Sequence, residues 1–335
     1  MTGAVALTLL LLAGASYYRR FPGTVELPYW YLSYSSGFVR RGLLGTVVSP
    51  FIVGRSLAGS VEFVALVCTA MALAYLAALA TLGAVLLAGL ENPRWRMAWV
   101  AVAIFAVASP GLPMLAHDLG FLDLPIALVA LISGVLAMRG ARAAFVPALI
   151  GPLIHEAYFF LALPLLLAAW GAPKTRRLAM ACAAVTIAMT AIVWFCSTEN
   201  VTWQAGIPIS SKNLSDFAHW QLGQGIVLSG WPRIPIRDWL ATTIPVVAIW
   251  AVGAMTLRRG ALVRLILGTL FSVSILVIAI DAERLLAWGC LTAPVLWGLE
   301  MWRDQSRQSD PSPNWPSYIT GRPVILDDGD DNSGR

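Results

Sequence analysis

Long apolar blocks follow one another along most of the chain, separated by short polar stretches. A helix needs about 20 apolar residues to cross the hydrocarbon core of a bilayer, and most of the blocks have about that length. They lack the strict alternation of polarity that marks a membrane β-strand. The pattern therefore predicts an all-α protein, a polytopic bundle of transmembrane helices, with spans at about 3–18, 61–90, 97–115, 120–138, 178–197, 239–257, 263–281 and 285–302.

One block, from Ala143 to Gly171, is too long for one crossing and too short for two. It contains Pro147, Pro152 and Pro164, and each proline removes a backbone hydrogen-bond donor from a helix. Irregular backbone at membrane depth is tolerated only against protein or a water-filled cavity. We therefore predict a broken helix or a hairpin pair of short helices here, which brings the total to about nine or ten membrane segments.

The composition excludes an ordinary soluble domain. Of the 335 residues, 58% are hydrophobic and 12% are charged, whereas a soluble protein has about 25% charged residues. The four cysteines are far apart and show no metal-binding spacing, so we interpret them as small apolar residues of the core. The net charge of +5 does not indicate a nucleic-acid partner, because the basic residues lie in short loops between the predicted spans.

Lysine and arginine concentrate in four of these loops, which is the pattern of cytoplasmic loops. The ten residues are Arg94, Arg96, Arg139, Arg142, Lys174, Arg176, Arg177, Arg258, Arg259 and Arg264. Both loops that flank the proline-containing block belong to this set, so the block must enter the membrane and return. Arg19 and Arg20 are the exception, because they follow the first predicted span and would lie outside.

This orientation divides the chain into a transmembrane domain over 1–303, with outer loops at 19–60 and 198–237, and a polar tail over 304–335. The tail is rich in Asp, Ser, Pro, Asn and Gly, a composition typical of disorder. We expect a multi-pass protein of the cell (inner or plasma) membrane, surrounded by membrane lipids, with its C-terminal tail in the cytoplasm.

The first outer loop carries two arginines between glycines, in the stretch Ser36-Gly-Phe-Val-Arg-Arg-Gly-Leu-Leu-Gly45. A guanidinium group is a planar donor that suits phosphate, so Arg40 and Arg41 are candidates for binding a phosphate or pyrophosphate. The glycines indicate a specific backbone shape. The alternative is an interfacial helix whose arginines touch lipid headgroups.

A second polar group, His117, Asp118 and Asp123, lies at the mouth between two predicted spans. An ionisable residue at membrane depth costs about 2.5–3.5 kcal/mol, so its presence indicates a role. Asp118 is the first candidate for a general base or a metal ligand. Alternatively, Asp118 caps the next helix and Asp123 interacts favourably with the dipole of its first turns.

A third group, His155 and Glu156, stands in the middle of the proline-containing block with apolar residues on both sides. Glu156 would act as an acid or base with a pKa raised by burial, and His155 would donate to an oxygen or bind a metal. The alternative is a structural pair that holds the broken helix. Near the last spans, Asp281 and Arg284 are three residues apart and can pair on one helical face, or they belong to a short outer turn.

Two histidines and two carboxylates of these groups would suffice to bind a divalent metal if they met in space: His117, Asp118, His155 and Glu156. Their spacing in the sequence does not show that they meet. A divalent metal cofactor therefore stays an open alternative.

Together these features resemble the bacterial multi-span enzymes that build envelope glycans. The likeness lies in the Phe-Val-Arg-Arg-Gly-Leu motif at 38–43, the acids at the outer mouths of spans, and the Asp281 and Arg284 pair. The family in question is the membrane glycosyltransferases that use polyprenyl-phosphate-linked sugars (the GT-C-like type), together with polysaccharide polymerases of similar layout.

The resemblance implies a role for each candidate residue and a lipid-linked sugar as the partner. It assigns catalysis to Asp118, Glu156 and His155, and substrate binding to Arg40, Arg41, His117, Asp123, Asp281 and Arg284. Asp118 or Glu156 would take a proton from an acceptor hydroxyl, while the arginines would neutralise the phosphate leaving group. Two other functions fit the same sequence: a transporter or flippase whose midplane site binds an anionic substrate, and a non-catalytic subunit of an envelope assembly complex.

Overall fold

The computed structural model describes residues 27–90, 92–111, 121–171, 173–198, 200–204, 207–211, 236–274 and 282–306. These residues are mainly helical. The helices are α1 (Pro28–Tyr31), α2 (Gly42–Ile52), α3 (Leu57–Gly89), α4 (Pro93–Ala108), α5 (Asp123–Met138), α6 (Phe145–Ile154), α7 (Tyr158–Trp170), α8 (Pro173–Cys196), α9 (Ile236–Thr256), α10 (Arg259–Val273) and α11 (Ala282–Ser306). Short 3₁₀ turns precede α2 and α6, at Tyr34–Ser36 and Arg142–Ala144.

The described residues form the all-α bundle that the sequence predicts, apart from one short hairpin. Strands β1 (Asn200–Gln204) and β2 (Ile207–Ser211) form an antiparallel hairpin in which Thr202 lies opposite Ile209. The hairpin falls in the predicted outer loop 198–237. Its β-branched and aromatic residues explain the strands, because such side chains favour extended backbone. Over the described ranges the fold is therefore a helical bundle that carries a small β-hairpin.

In the part of the chain that the structure describes, three helices are long and apolar enough to cross a membrane: Leu57–Ala88 in α3, Pro173–Cys196 as α8, and Trp239–Thr256 in α9. The helices α2, α5, α6 and α7 are apolar but shorter. Most predicted spans correspond to an observed helix within several residues, and the first, 3–18, lies outside the described residues. Helix length and composition do not establish the predicted count of nine or ten membrane segments.

Helix α11 forms the centre of the bundle. Nearly all its side chains from Ala287 to Asp304 are buried, including the large rings of Trp288 and Trp297. A helix that is buried on every side must be surrounded by other helices. Contacts with α4, α7, α9 and α10 supply that surrounding layer.

The proline-containing block folds into a helical hairpin, which consists of α6, the turn at His155–Ala157, and α7. The chain leaves and returns at the same end: a Cβ on Gly140 would lie 3.7 Å from Thr175 Cγ2, and the Thr175 hydroxyl donates to the carbonyl of Ala169 at 2.6 Å. At the turn, the ring of Tyr158 packs directly on Gly151. A Cβ on residue 151 would overlap that ring. This geometry agrees with the predicted hairpin pair of short helices.

Hydroxyl groups from neighbouring helices satisfy carbonyls that the hairpin prolines leave without a helical donor. Pro164 cannot donate to the carbonyl of Phe160, and the Ser272 hydroxyl of α10 donates to that oxygen at 3.0 Å instead. Pro152 likewise cannot donate to Ala148, whose carbonyl accepts the Thr186 hydroxyl of α8 at 3.5 Å. Broken helices in an apolar setting need such replacements, because water is not present to provide them.

The two ends of the bundle differ in character. The turn at Gly140, the start of α8 at Thr175, and Gly171 meet at one end, and the guanidinium groups of Arg264 and Arg303 surround Gly171. We call this the basic end. Three of the four loops rich in lysine and arginine therefore lie together, as the charge pattern requires.

The other end, which we call the site end, contains the start of α5 and the end of α8. There the Thr198 backbone N–H donates to the carbonyl of Phe38 at 2.8 Å, and the rings of Tyr29 and Phe121 contact at 5.7 Å. Helix α8, with 24 residues, connects the two ends. At 1.5 Å per residue it is about 36 Å long, which is enough to cross a bilayer.

Two predicted boundaries change. The described part of the predicted outer loop 19–60 contains α1, α2 and the start of α3. Residues 304–306, which the sequence assigns to the tail, continue α11. The reason is that Asp304 is buried and accepts a hydrogen bond from the backbone N–H of Arg258 at 3.3 Å. The rest of the predicted tail lies outside the described residues.

Candidate functional site

Tight backbone packing shapes the arginine-containing loop. Gly37 has φ +107 and Arg41 has φ +64, a left-handed conformation that non-glycine residues rarely adopt. Gly42 packs against the ring of Tyr34, and a Cβ on Gly45 would overlap the carbonyl oxygen of Leu32. The glycines are thus required by close approach, in agreement with the expected specific backbone shape. They turn the chain so that both arginines face the interior.

Arg41 binds Glu156 through two of its nitrogens. Its Nε donates to Oε1 at 3.2 Å and to Oε2 at 3.1 Å, and its terminal Nη2 donates to Oε1 at 2.6 Å. Arg40 approaches the same carboxylate, with 3.7 Å between Nε and Oε1. Tyr29 covers the Arg41 guanidinium, whose carbon lies 5.4 Å from the ring centre. The first loop is thereby joined to the tip of the helical hairpin.

His155 lies beside this ion pair and is itself fixed by the backbone. Its Nδ1 accepts the Ala157 backbone N–H at 3.0 Å, and it lies 3.5 Å from Glu156 Oε2. An Nδ1 that accepts a hydrogen bond carries no proton, so in the neutral imidazole the proton sits on Nε2. The ring therefore presents an N–H donor on the side away from its own turn.

Asp123 is a further ionisable residue that the structure describes near the arginines. It begins α5, is 4% exposed, and lies close enough for its charge to act on Arg41. Phe121, two residues earlier, contacts Tyr29. Three separate parts of the sequence, around 40, 122 and 155, thus converge. We call Arg40, Arg41, Asp123, His155 and Glu156 the arginine–carboxylate cluster.

The cluster is electrostatically unusual because four of its five members are buried: Arg40 and Glu156 are each 7% exposed, His155 is 9% exposed and Asp123 is 4% exposed. Arg41 is partly buried. Burial alone raises the pKa of the Glu156 carboxyl, but the adjacent charges, that of Arg41 above all, outweigh burial and hold it well below its usual range. The burial-raised pKa that the sequence suggests is therefore wrong. The ionised Glu156 is a hydrogen-bond acceptor that orients guanidinium groups, and a weak proton acceptor.

Several predicted site residues cannot be placed. His117, Asp118 and Asp281 lie outside the described residues, and the side chain of Arg284 is not described although its backbone belongs to α11. Their roles, and the catalytic roles of His155 and Glu156, stay predictions. Within the described part of the chain, no three His, Cys, Asp or Glu side chains converge as a metal site would require. The four-residue metal set includes two residues outside that part.

A second buried ionic group, which the sequence pattern did not lead us to expect, lies at the basic end. Glu300 is fully buried and binds Arg264 through both oxygens, at 2.8 and 3.0 Å, and it also pairs with Arg303. Arg303 in turn donates to the carbonyl of Ala168 at the end of α7, at 3.0 Å. The sequence contains a signal for this ionic group, because Glu300 and Arg303 are three residues apart in an apolar helix and can pair on one face. This group fastens α7, α10 and α11 together.

Comparison with known proteins adds no assignment. No protein-family model matches the chain, and neither a curated protein nor a solved structure matches it at a significant level.

Proposed function

We propose that this chain is a membrane glycosyltransferase that transfers a sugar from a polyprenyl-phosphate-linked donor to an envelope glycan or lipid acceptor. The observation that carries the proposal is the arginine–carboxylate cluster at the site end, where Arg41 is held by Glu156 in a strained backbone conformation. Strained residues persist where the surrounding structure fixes them, and they concentrate at functional sites. Two oriented guanidinium groups are suited to a phosphate.

The proposed orientation places the site end outside the cytoplasm. The basic end brings together loops rich in lysine and arginine, which favour the cytoplasmic side. Helix α8 links this end to the site end and is long enough to cross the bilayer. The chain is then a multi-pass protein of the cell membrane with a cytoplasmic C-terminal tail, and its catalytic face is extracytoplasmic.

In the proposed reaction, an acceptor hydroxyl attacks the anomeric carbon of the donor sugar. The bond between that carbon and the phosphate oxygen breaks, and polyprenyl phosphate leaves with the electron pair. Arg40 and Arg41 neutralise the negative charge that grows on the leaving phosphate. The proton of the hydroxyl passes to Asp118, which precedes Asp123 of the cluster by five residues in the sequence. Asp118 is preferred over Glu156 because Glu156 is already bound by two guanidinium groups.

The remaining cluster residues have supporting roles. Glu156 orients Arg41 with its two oxygens, and His155 presents its Nε2–H to a sugar or phosphate oxygen. His117, Asp123, Asp281 and Arg284 are assigned to substrate binding. No metal is required for this sequence of steps, and a divalent metal at His117, Asp118, His155 and Glu156 stays an alternative.

The test uses the full chain in proteoliposomes with polyprenyl-phosphate-linked glucose, mannose and arabinose, each with membrane lipids as acceptors. Release of polyprenyl phosphate and transfer of the sugar are measured. We expect Arg41→Gln to lower the rate about 100-fold, the loss typical for one donor that stabilises transition-state charge. Arg41→Lys should retain part of the activity because it keeps the charge. The matched control is Arg55→Gln, since Arg55 is exposed and stacks on Phe63.

The same experiment separates the alternatives. Movement of the lipid-linked sugar between leaflets without cleavage of its phosphate bond would indicate a transporter or flippase. If the protein neither cleaves, moves nor binds any of the three donors, the proposal is overturned in favour of a non-catalytic subunit. Thermal unfolding of each variant in detergent shows whether a loss of activity reflects a loss of structure.

A further inference from the structure

An apolar groove lies on the side of the bundle between α7, α8 and α10, and none of its lining residues belongs to the arginine–carboxylate cluster. Its volume is about 360 Å³, within the range of small-molecule sites. Leu163 and Leu167 of α7, Ala183 and Ile187 of α8, and Phe271 of α10 line it. No charged side chain lies among its lining residues, and Trp170 contributes an indole N–H. The groove therefore suits a hydrocarbon chain.

The groove is concave because small residues lie along its walls. Gly268 approaches Pro164 so closely that a Cβ would lie 3.2 Å from the proline Cβ. Ala179 and Ala183 line the facing wall on α8. Helix surfaces that carry only large side chains would fill this space. From Ala179 to Ile187 the wall rises about 12 Å at 1.5 Å per residue, which is long enough for much of an acyl chain.

One end of the groove is cationic. Trp170 lines the groove there, and the Arg176 guanidinium lies over its ring at 5.9 Å. Arg176 precedes the lining residue Ala179 by three positions, so the two share a helical face. On the opposite wall, Arg264 precedes Leu267 by three positions in the same way. Arg264 is bound to Glu300, whereas Arg176 is exposed.

This arrangement is complementary to a phospholipid. The apolar groove suits its hydrocarbon chain, and the basic end beside a tryptophan suits its headgroup. Basic pockets between membrane helices on the cytoplasmic side bind anionic headgroups, and exposed tryptophan favours the interfacial region. A zwitterionic headgroup would gain less from Arg176 because its own ammonium group would be repelled. The charge at the end of the groove thus selects among lipids.

We propose that the groove between α7, α8 and α10 binds an acyl chain of an anionic phospholipid of the surrounding bilayer, whose phosphate pairs with Arg176. The site differs from the donor site in the proposed function: its basic end is at the start of α8, whereas the donor site is near the end of α8. It requires that the chain is embedded in a membrane, but it does not depend on glycosyl transfer.

The test measures lipid retention by native mass spectrometry of the full chain, released from nanodiscs that contain equal amounts of phosphatidylglycerol and phosphatidylcholine. The wild-type protein should retain phosphatidylglycerol in preference. Arg176→Gln should reduce that preference about fivefold, which corresponds to one basic residue near a lipid surface. Ala183→Phe should abolish retention because the added ring fills the groove.

Matched controls keep the test decisive. Ala184→Phe adds the same ring to the neighbouring residue, which is exposed and does not line the groove, so it should retain lipid like the wild type. Arg94→Gln removes a basic residue of a different loop. Equal retention of both lipids by the wild type, or equal losses in Ala183→Phe and Ala184→Phe, would overturn the proposal. Lipid retention is measured without a sugar donor, so its outcome does not depend on whether the protein releases polyprenyl phosphate, and failure here is distinct from failure of the glycosyltransferase assignment.

Discussion

Glu156 is the central residue of the arginine–carboxylate cluster, because one buried guanidinium group, that of Arg40, and one partly buried group, that of Arg41, share its single carboxylate. Removal of one partner from a buried ion pair costs about 3–5 kcal/mol, since a buried charge is left uncompensated. We expect Glu156→Gln to lower the stability of the protein by roughly that amount, measured by thermal or denaturant unfolding in detergent.

A double-mutant cycle gives the specific check on this pair. Arg41→Gln combined with Glu156→Gln should cost clearly less than the sum of the two single changes, because the second change removes the uncompensated charge. Glu62→Gln serves as the control, since Glu62 is exposed on α3. Additive losses from the two cluster variants would show that the pair does not couple.

Gly45 provides a second prediction at the scale of one residue. Its Cβ would overlap a backbone oxygen, that of Leu32, and backbone cannot move aside as a flexible side chain can. Gly45→Ala should therefore separate α1 from α2 and prevent recovery of folded protein on size-exclusion chromatography. Gly59→Ala is the matched change, because its Cβ would meet only ordinary contacts at 3.4 Å or more. Its effect should be neutral or slightly stabilising.

At the scale of the element, the helical hairpin depends on hydroxyl groups from other helices. Ser272→Ala removes the donor to the Phe160 carbonyl, and interhelical hydrogen bonds of this kind contribute about 0.6 kcal/mol, up to about 1.7 kcal/mol. We expect a loss of stability in that range by unfolding in detergent. Ser274→Ala should cost less, since Ser274 is exposed and bonds only to Phe271 of its own helix.

A change at Pro164 tests whether the Ser272 hydroxyl replaces the N–H donor that this proline lacks. In Pro164→Ala the backbone N–H of residue 164 is restored and can donate to Phe160 itself. Ser272→Ala should therefore cost less in the Pro164→Ala background than in the wild type. An equal cost in both backgrounds would mean that the hydroxyl does not replace the missing donor.

Helix positions and the hairpin could be predicted because they follow from local patterns: apolar block length and the placement of Pro147, Pro152 and Pro164. The β-hairpin was missed although Val201, Thr202 and Ile209 carry a strand signal, because a polar loop between spans has no required structure. The pairing of Arg41 with Glu156 could not be predicted. The residues are 115 positions apart, and no local rule selects partners at such a separation.

At the scale of the whole molecule, the two ends of the bundle should face opposite compartments. In a version without the four native cysteines, single cysteines at Ser35 and Thr198 of the site end should react with an impermeant maleimide from one side of a sealed vesicle. Cysteines at Arg142 and Gly260 of the basic end should react from the other side. All four positions are exposed. Labelling of both ends from one side would contradict the orientation and, with it, an extracytoplasmic active site.

Arg303, which contacts Ala168 at the end of the helical hairpin, is synthesised well after the hairpin itself. The two residues are 135 positions apart, so the helical hairpin leaves the ribosome roughly 7–27 seconds before the arginine that fastens it, at about 5–20 residues per second. During that interval the end of α7 must be sheltered by the insertion machinery or by lipid. A chain that stops before Glu300 would contain every residue of the described site end but would lack the Glu300 and Arg303 contacts that hold α7, α10 and α11 together. We expect membrane quality-control proteases to degrade such a chain.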